Sequence, residues 1–256
     1  MDTKNNQSEQ YKKKAALKAK NTIENYQPDV VITSDDNAAK YLIVPYFYNS
    51  SIPFVFCGVN GSANEYGFPT KNVTGMIEVQ LIPELLSTLK EFTRGNKIGF
   101  LKGDSFTAKK EALYFEKLLN KKISKRFVKS IKEWKEEYLT FQKNVDVLLI
   151  GDAVTINGWK NSHEDIRNFV KSNTLIPSGS WGSNVSDISL LTYANIPEEQ
   201  GIWSAKTALE ILKGKDVFKI PLSKNKTARI FVNKTLIKKL NIVFPFEIVD
   251  NAVIVD

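Results

Sequence analysis

The chain has 256 residues and a formal net charge of +8, with 42% hydrophobic and 11% aromatic residues. This composition is typical of a folded globular protein and excludes a disordered chain. No apolar run approaches the ~18 residues of a membrane-spanning helix, and no signal peptide is visible at the first residue. We therefore expect no stable insertion into a membrane, and the length favours two lobes of ordinary domain size.

The basic charge and the rare residue types exclude several classes of function. Lysines are spread along the chain and are densest over 11–20, on an amphipathic helix, so solvated faces are expected rather than a nucleic-acid partner. The single Cys57 excludes an internal disulfide and a CxxC motif, and its apolar surroundings favour a buried, inert thiol. The only histidine, His163, lies in a polar stretch typical of a surface. No cofactor and no metal site are predicted.

Residues 29–60 are the stretch around which the predicted fold is organised. A short β-branched run over 29–33 predicts a strand buried on both faces of a parallel sheet. Polar residues at 34–37 begin a helix over 38–47, which Pro45 kinks or ends early. A second strand is predicted over residues 52–59, and Gly58 and Asn60 open the next loop.

Strands and helices alternate through the rest of the chain. Further strands are predicted over 72–79, 97–103, 125–131, 145–152, 174–179, 188–194 and 227–233. Further helices are predicted over 8–26, 83–92, 108–119, 133–143, 163–171, 197–212 and 235–240. This alternation predicts parallel sheets with helices on both faces, and the units fall into two groups, before and after Gly75.

Five segments carry a family resemblance in their order along the chain. They are VFCGVN at 55–60, NVTG at 72–75, KIGFL at 97–101, and the closing runs 201–222 and 228–245. Together they resemble the substrate-binding proteins of ABC transporters with the type I periplasmic-binding fold. The matching subfamily includes tryptophan- and tyrosine-type binding proteins and similar sensor domains of membrane receptors.

The resemblance implies an α/β fold of two Rossmann-like lobes joined by a three-strand hinge. Lobe 1 would comprise residues 1–76 and 190–221, and lobe 2 residues 77–189 and 222–256. Residues 1–4 resemble the end of the family's second strand, so the first strand and helix of lobe 1 are expected to be missing by N-terminal truncation. Such a loss would expose a sheet edge and an apolar groove.

Ligands of open α/β sheets bind at the carboxyl ends of the strands, beside helix N-termini. Ten residues at four such strand ends are therefore candidate ligand contacts in an interlobe cleft: Ser34, Asp35, Asn37, Gly58, Asn60, Asp104, Ser105, Thr107, Asp152 and Thr155. Helix capping, a tight turn at Gly58 and a solvated turn at Asp152 are the competing structural interpretations. We expect Asp35, Asn60, Asp104 and Asp152 to face one another across the cleft.

Acidic strand ends in a basic chain favour a ligand with an ammonium group or several hydroxyls. Helix N-termini can hold a carboxylate at the same time, so a zwitterionic amino acid meets both demands. Trp159, Trp181 and Trp203 lie near predicted loops or hinges, where they would form either a stacking wall or part of the core.

The resemblance implies an extracytoplasmic solute receptor, periplasmic or at the cell surface, that works with an ABC permease and ATPase complex. The alternative is the ligand-sensing domain of a bacterial signalling receptor. An enzyme is not predicted, because no nucleophile–base motif or phosphate-binding glycine loop is present. A LacI-type repressor core would need a DNA-binding headpiece, which is not found in this sequence.

Overall fold

The structure is a computed structural model that describes residues 1–3, 6 and 8–256. It divides into two units, each built from two separate parts of the chain. The first unit comprises Met1–Val79 and Ile196–Thr227, and the second comprises Gln80–Asn195 and Ala228–Asp256. The chain therefore passes three times from one unit to the other.

Strands and helices alternate along most of the described chain. The strands are β1 (Val31–Ser34), β2 (Phe54–Asn60), β3 (Val73–Glu78), β4 (Ile98–Gly103), β5 (Ser124–Val128), β6 (Val147–Ile150), β7 (Ser178–Ser180), β8 (Leu191–Asn195), β9 (Ser223–Lys224), β10 (Ala228–Asn233) and β11 (Ala252–Val255). The α-helices are α1 (Glu9–Tyr26), α2 (Asp35–Ala38), α3 (Ile82–Lys90), α4 (Phe106–Leu119), α5 (Ile131–Asn144), α6 (His163–Asn173), α7 (Pro197–Leu212), α8 (Lys234–Leu240) and α9 (Phe246–Asp250). A π-helix, Ala39–Phe47, continues α2, and 3-10 turns span Asn64–Tyr66, Ser183–Ile188 and Val217–Lys219.

The sheet of the first unit has the strand order β1-β2-β3-β9, and each of its pairs is parallel. Its core lies around Phe54, Phe56 and Val73, which are fully or almost fully buried, and α7 packs on β1, β2 and β3. The prediction that the first strand is buried on both faces is wrong. The strand β1 lies at the edge of this sheet, and its Ile32 side chain is 48% exposed.

The helix that follows β1 does not end at its proline as predicted: the α-helical part α2 ends at Ala38, and a π-helix continues from Ala39. Pro45 lies inside the π-helical part, which ends at Phe47. The change from α-helix to π-helix therefore comes before the turn from which Pro45 removes a hydrogen bond. The predicted strand tail over residues 1–4 is not confirmed, since residues 1–3 form no strand and Lys4 lies outside the described residues.

The sheet of the second unit has the order β11-β10-β8-β7-β6-β4-β5. Its pairs are parallel except β8 with β10, which are antiparallel. The helices α4 and α5 contact β4 and β5, and α3 contacts β7 and β8. The sheet core includes the fully buried residues Phe100, Leu101, Leu148 and Leu149. The sequence analysis predicted neither α9 nor β11.

The division into units differs from the predicted lobes at residues 77–79 and in two further segments. Residues 190–195 were placed in lobe 1, but β8 pairs with β7 and β10 and so belongs to the second unit. Residues 222–227 were placed in lobe 2, but β9 pairs with β3 and belongs to the first unit. Backbone pairing at these crossings cannot be read from hydrophobic pattern alone.

Candidate functional site

The structure divides the ten candidate residues between the two units. The five in the first unit lie at the carboxyl ends of β1 and β2: Ser34, Asp35, Asn37, Gly58 and Asn60. The five in the second unit follow the ends of β4 and β6: Asp104, Ser105, Thr107, Asp152 and Thr155. Within each unit the pairing of parallel strands brings the two strand ends together.

Asp36 organises the polar residues at the carboxyl edge of the first unit. One of its oxygens accepts a hydrogen bond from Asn60 Nδ2 at 2.7 Å, and the other accepts from the Tyr66 hydroxyl at 2.8 Å. Burial, followed by the bond to the Asp36 carboxylate, raises the pKa of Tyr66 well above its ordinary value. The acid beside Asn60 is thus Asp36, which was not among the ten candidates.

The backbone is unusual at Asp35, the first residue of α2, and at Gly58, which lies in β2. Asp35 has a φ of 69°, in the left-handed region that costs a residue with a side chain of order 1–3 kcal/mol. Gly58 has a φ of 68° and lies in a bulge where β2 slips by one residue against β3. Its N–H donates to Gln200 Oε1 at 3.1 Å, and Gln200 is buried on α7.

The acids Asp35 and Glu78 both approach Gly58. A Cβ added at Gly58 would lie 3.5 Å from Asp35 Oδ1 and 3.8 Å from Glu78 Oε2. Because Gly58 has no side chain, a space remains between the carboxylates of Asp35 and Glu78. The prediction that Gly58 and Asn60 open a loop is wrong in detail, since both are still within β2.

The remaining residues at this edge have local roles. Ser34 is exposed and makes no side-chain capping bond to α2, whereas Asn37 donates to Thr3 Oγ1 at 3.0 Å. Cys57 is only half-buried, yet burial raises the pKa of its thiol, which holds it in the protonated form. Its Sγ lies 3.5 Å from the Thr33 carbonyl oxygen. The raised pKa favours the predicted inert thiol. The prediction that Cys57 is buried is wrong, since it is only half-buried.

In the second unit, Ser105 is the residue that caps α4. Its Oγ accepts from the N–H of Ala108 at 3.0 Å, so Asp104 is not needed as a cap. Asp104 instead pairs with Lys109 at 2.6 Å and Lys129 at 3.6 Å. The hydrogen bond from Lys109 holds the pKa of Asp104 below its usual value. Thr107 is exposed in the first turn of the same helix.

A buried charge network lies at the ends of β4 and β6, and the sequence analysis missed most of it. Lys102 Nζ lies 2.7 Å from Glu111 Oε2 and 3.3 Å from Asp152 Oδ2. Trp181 Nε1 donates to Glu111 Oε1 at 2.9 Å, and the indole stacks on Phe100. The network joins one cation to two carboxylates. A lysine inside the otherwise apolar strand KIGFLKG was the signal, because a buried lysine requires a partner.

The loop after β6 folds back over the end of β4. The N–H of Gly103 donates to the Asp152 carbonyl at 3.2 Å. A Cβ at Gly103 would overlap Thr155 Oγ1, at 2.4 Å. Thr155 itself is exposed. The structure therefore brings Asp152 and Thr155 together with the end of β4.

The tryptophans and the histidine have different surroundings. Trp159 is buried in the core, where it packs against Trp134, and Trp203 lies half-buried in a groove of about 420 Å³ in the first unit. His163 is partly buried rather than freely exposed, with Nε2 2.8 Å from an Asp187 oxygen. This contact ties the first residue of α6 to Asp187, so His163 has a structural partner.

Neither a metal site nor a membrane-spanning helix is found in the part of the chain that the structure describes. Among residues 1–3, 6 and 8–256, no grouping of three or more His, Cys, Asp or Glu side chains could hold a metal ion. No helix within that part of the chain is both long and apolar enough to cross a bilayer.

Comparison with known families decides the class of protein. The profile of the family described as ABC transporter substrate binding protein matches residues 1–255. The chain belongs to this family. Members bind substrates and are not enzymes, so the predicted family, the fold and the absence of an enzymatic role are confirmed. No curated protein sequence matches the chain.

Solved structures of substrate-binding proteins share the fold. The chain is similar to a ligand-free, open substrate binding protein with adhesive properties from Clostridium difficile, with 18% identity and a TM-score of 0.73 over 95% of this chain and 83% of that one. It is also similar to an ABC domain in complex with L-Trp from Streptococcus pneumonia, with 18% identity and a TM-score of 0.54 over 95% and 84% of the two chains. A conserved domain protein from Vibrio cholerae matches with 16% identity and a TM-score of 0.57 over 95% and 84%.

Proposed function

We propose that this substrate-binding protein is an extracytoplasmic receptor that captures a small, polar, amino-acid-like ligand and delivers it to an ABC importer. Its partners would be the ligand and a complex of permease and ATPase. The family supports solute binding, and the L-Trp complex of the Streptococcus pneumonia relative supports an amino acid as the ligand class. The ten residues at the strand ends are the contacts that we propose.

The observation that carries the proposal is an acid at each carboxyl edge that helix capping does not explain. Asp35 has a left-handed backbone beside the space left by Gly58. Asp152 is 33% exposed in its side chain and shares Lys102 with Glu111, and it caps no helix, since α6 begins only at His163. Residues with a strained backbone concentrate at ligand sites.

The chemistry of these edges suits a zwitterion. The cluster of Lys102, Glu111 and Asp152 has two carboxylates for one ammonium, so it has room for the positive charge of a ligand. The N-terminus of α4 follows β4 at the same edge, and a helix N-terminus favours a ligand carboxylate, although Ser105 already accepts from the Ala108 N–H. Trp181, fixed by Glu111 and Phe100, offers an aromatic surface nearby.

A thermal-shift screen tests the ligand class. The purified protein is heated with each common amino acid and, as controls, with neutral sugars and with carboxylic acids that lack an amino group. A ligand at a hundred times its dissociation constant adds about 2.7 kcal/mol to the free energy of unfolding, so a true ligand should raise Tm clearly. A rise with sugars alone would contradict the amino-acid class.

A second measurement tests delivery. The permease and ATPase encoded with this protein are reconstituted in lipid nanodiscs, and ATP hydrolysis is measured with the ligand-loaded protein. An importer receptor should stimulate hydrolysis when loaded. Ligand binding without any stimulation would favour the sensing role instead.

A further inference from the structure

The helix α7 presents its large aliphatic side chains away from the sheet that it covers. The buried side of α7 is formed by small and polar residues, namely Gln200, Ser204, Thr207 and Ala208. On the other side, Ile202 is 56% exposed, Leu209 56% and Leu212 53%. A surface helix ordinarily has the reverse arrangement, with its apolar stripe toward the core. Exposed aliphatic rows of this kind mark contact surfaces.

The exposed residues have the spacing of a coiled-coil seam. Ile202, Ala205, Leu209 and Leu212 are separated by three, four and three residues, and Ala205 is exposed as well. We call these four residues the α7 seam. Alternating steps of three and four keep side chains in line toward a second helix. The seam is also symmetric about residue 207, so an antiparallel copy would place Ile202 opposite Leu212 and Ala205 opposite Leu209.

The charges at the two ends of α7 distinguish between orientations of a partner helix. Glu198 and Glu199 lie in the first turn, and Lys213 and Lys215 follow the last turn. A parallel copy would put like charges together, whereas an antiparallel copy brings the acids of one helix within about a turn of the lysines of the other. The sequence of the helix is thus complementary to itself.

We propose that α7 is an interface with a second copy of this chain, in which two seams pack antiparallel about a twofold axis. Such an isologous contact uses the same surface on both copies. Ala205 allows close approach of the helices at the middle of the seam. The larger side chains of Ile202, Leu209 and Leu212 fill the space on either side of it.

Sedimentation velocity over a concentration series tests the interface. We expect the parent protein to change from monomer to dimer with rising concentration. Leu209→Lys should weaken the dimer about tenfold or more, because it places a charge in the seam. Leu113→Lys on α4 is the matched control, since Leu113 is 59% exposed and lies outside the seam, and it should leave the dimer unchanged.

A charge reversal tests the orientation independently of the apolar change. Glu198→Lys and Lys213→Glu should each weaken the dimer several-fold, and the double variant should restore it. A parent protein that stays monomeric up to millimolar concentration would overturn the proposal. This holds even if the seam binds a hydrophobic dye, since the seam would then serve a different partner. Equal weakening by Leu113→Lys, or no rescue in the double variant, would overturn it too.

Discussion

Lys102 Nζ and Glu111 Oε2 are 2.7 Å apart in a pair whose side chains are only 10% and 15% exposed. Glu111 also accepts from Trp181 Nε1, so a single carboxylate holds both the lysine and the indole. Removing one member of a buried pair leaves the other charge without compensation. We infer that this pair fixes the carboxyl edge of the second unit, where Asp152 is partly exposed.

The first prediction concerns this pair. Glu111→Ala should lower the free energy of unfolding by about 3–5 kcal/mol, because Lys102 would remain buried beside Asp152 alone. Urea denaturation followed by tryptophan fluorescence measures the loss. Glu136→Ala is the control: its pair with Lys132 spans 3.9 Å with side chains 64% and 87% exposed, so only a few tenths of a kcal/mol are expected. Equal losses in the two variants would contradict the account.

The second prediction uses two glycines with opposite surroundings. A Cβ at Gly75 would lie 2.3 Å from Phe56 Cγ, so Gly75→Ala must displace a buried ring and should cost about 1–3 kcal/mol. Gly201 lies inside α7 with no atom within 4 Å of its added Cβ, so Gly201→Ala should stabilise by about 0.5–1 kcal/mol. Melting temperatures of both variants should move in opposite directions, and a shift in the same direction would count against the packing of β3 on β2.

The third prediction concerns Asn72, which is buried and lies just before β3. Its Nδ2 donates to the carbonyls of Phe47 and Ile52 at 3.0 and 2.8 Å. Each carbonyl would keep one bond from Ser50, at 3.1 Å to Phe47 and 3.3 Å to Ile52, so Asn72→Ala removes two hydrogen bonds without leaving either carbonyl unpaired. We expect a loss of about 2 kcal/mol in the free energy of unfolding. Asn21→Ala, on the exposed side of α1, should change stability by no more than about 0.5 kcal/mol.

Alkaline pH should reveal the bond between Tyr66 and Asp36. Burial, followed by the bond to Asp36, raises the pKa of Tyr66 in the folded state above its ordinary value of about 10, so the unfolded state releases its proton first as the pH rises. The contribution of Tyr66 to the free energy of unfolding is therefore fully present below about pH 10 and decreases as the pH rises above it. Tyr66→Phe should reduce the loss of stability between neutral pH and pH values above 10. An identical pH dependence in parent and variant would show that Tyr66 ionises normally.

The family, the fold class and most of the strands could be predicted from the sequence. The strands and the fold class follow from alternating local patterns, and the family follows from the order of five motifs. The motif NVTG also has a physical explanation in the fold. Asn72 fastens a loop, Thr74 Oγ1 donates to the Ile220 carbonyl at 2.8 Å, and Gly75 makes room for Phe56. These are contacts between distant parts of the chain, which the pattern indicated without explaining.

The candidate site was less predictable, for reasons that concern pairing across the sheet. Asp36 accepts hydrogen bonds from Asn60 and Tyr66, which lie 24 and 30 positions later in the chain. Lys102, on a strand, pairs with Glu111, on the following helix. Strand endings show where polar residues collect, but not which of them pair. The predicted meeting of Asp35, Asn60, Asp104 and Asp152 around one ligand stays a prediction.

Calorimetric titration of the ligand into single Asp→Asn variants at Asp35, Asp36, Asp104 and Asp152 tests the central claim most directly. The change keeps the side-chain volume and removes the charge, and asparagine caps helices as well as aspartate. The account predicts that Asp35→Asn or Asp152→Asn lowers the affinity about tenfold to a hundredfold, the loss of one charged hydrogen bond. Asp165→Asn, an exposed acid paired with Lys135, should bind as the parent does. Unchanged affinity in all four variants would contradict the account and show that these carboxylates serve the fold alone.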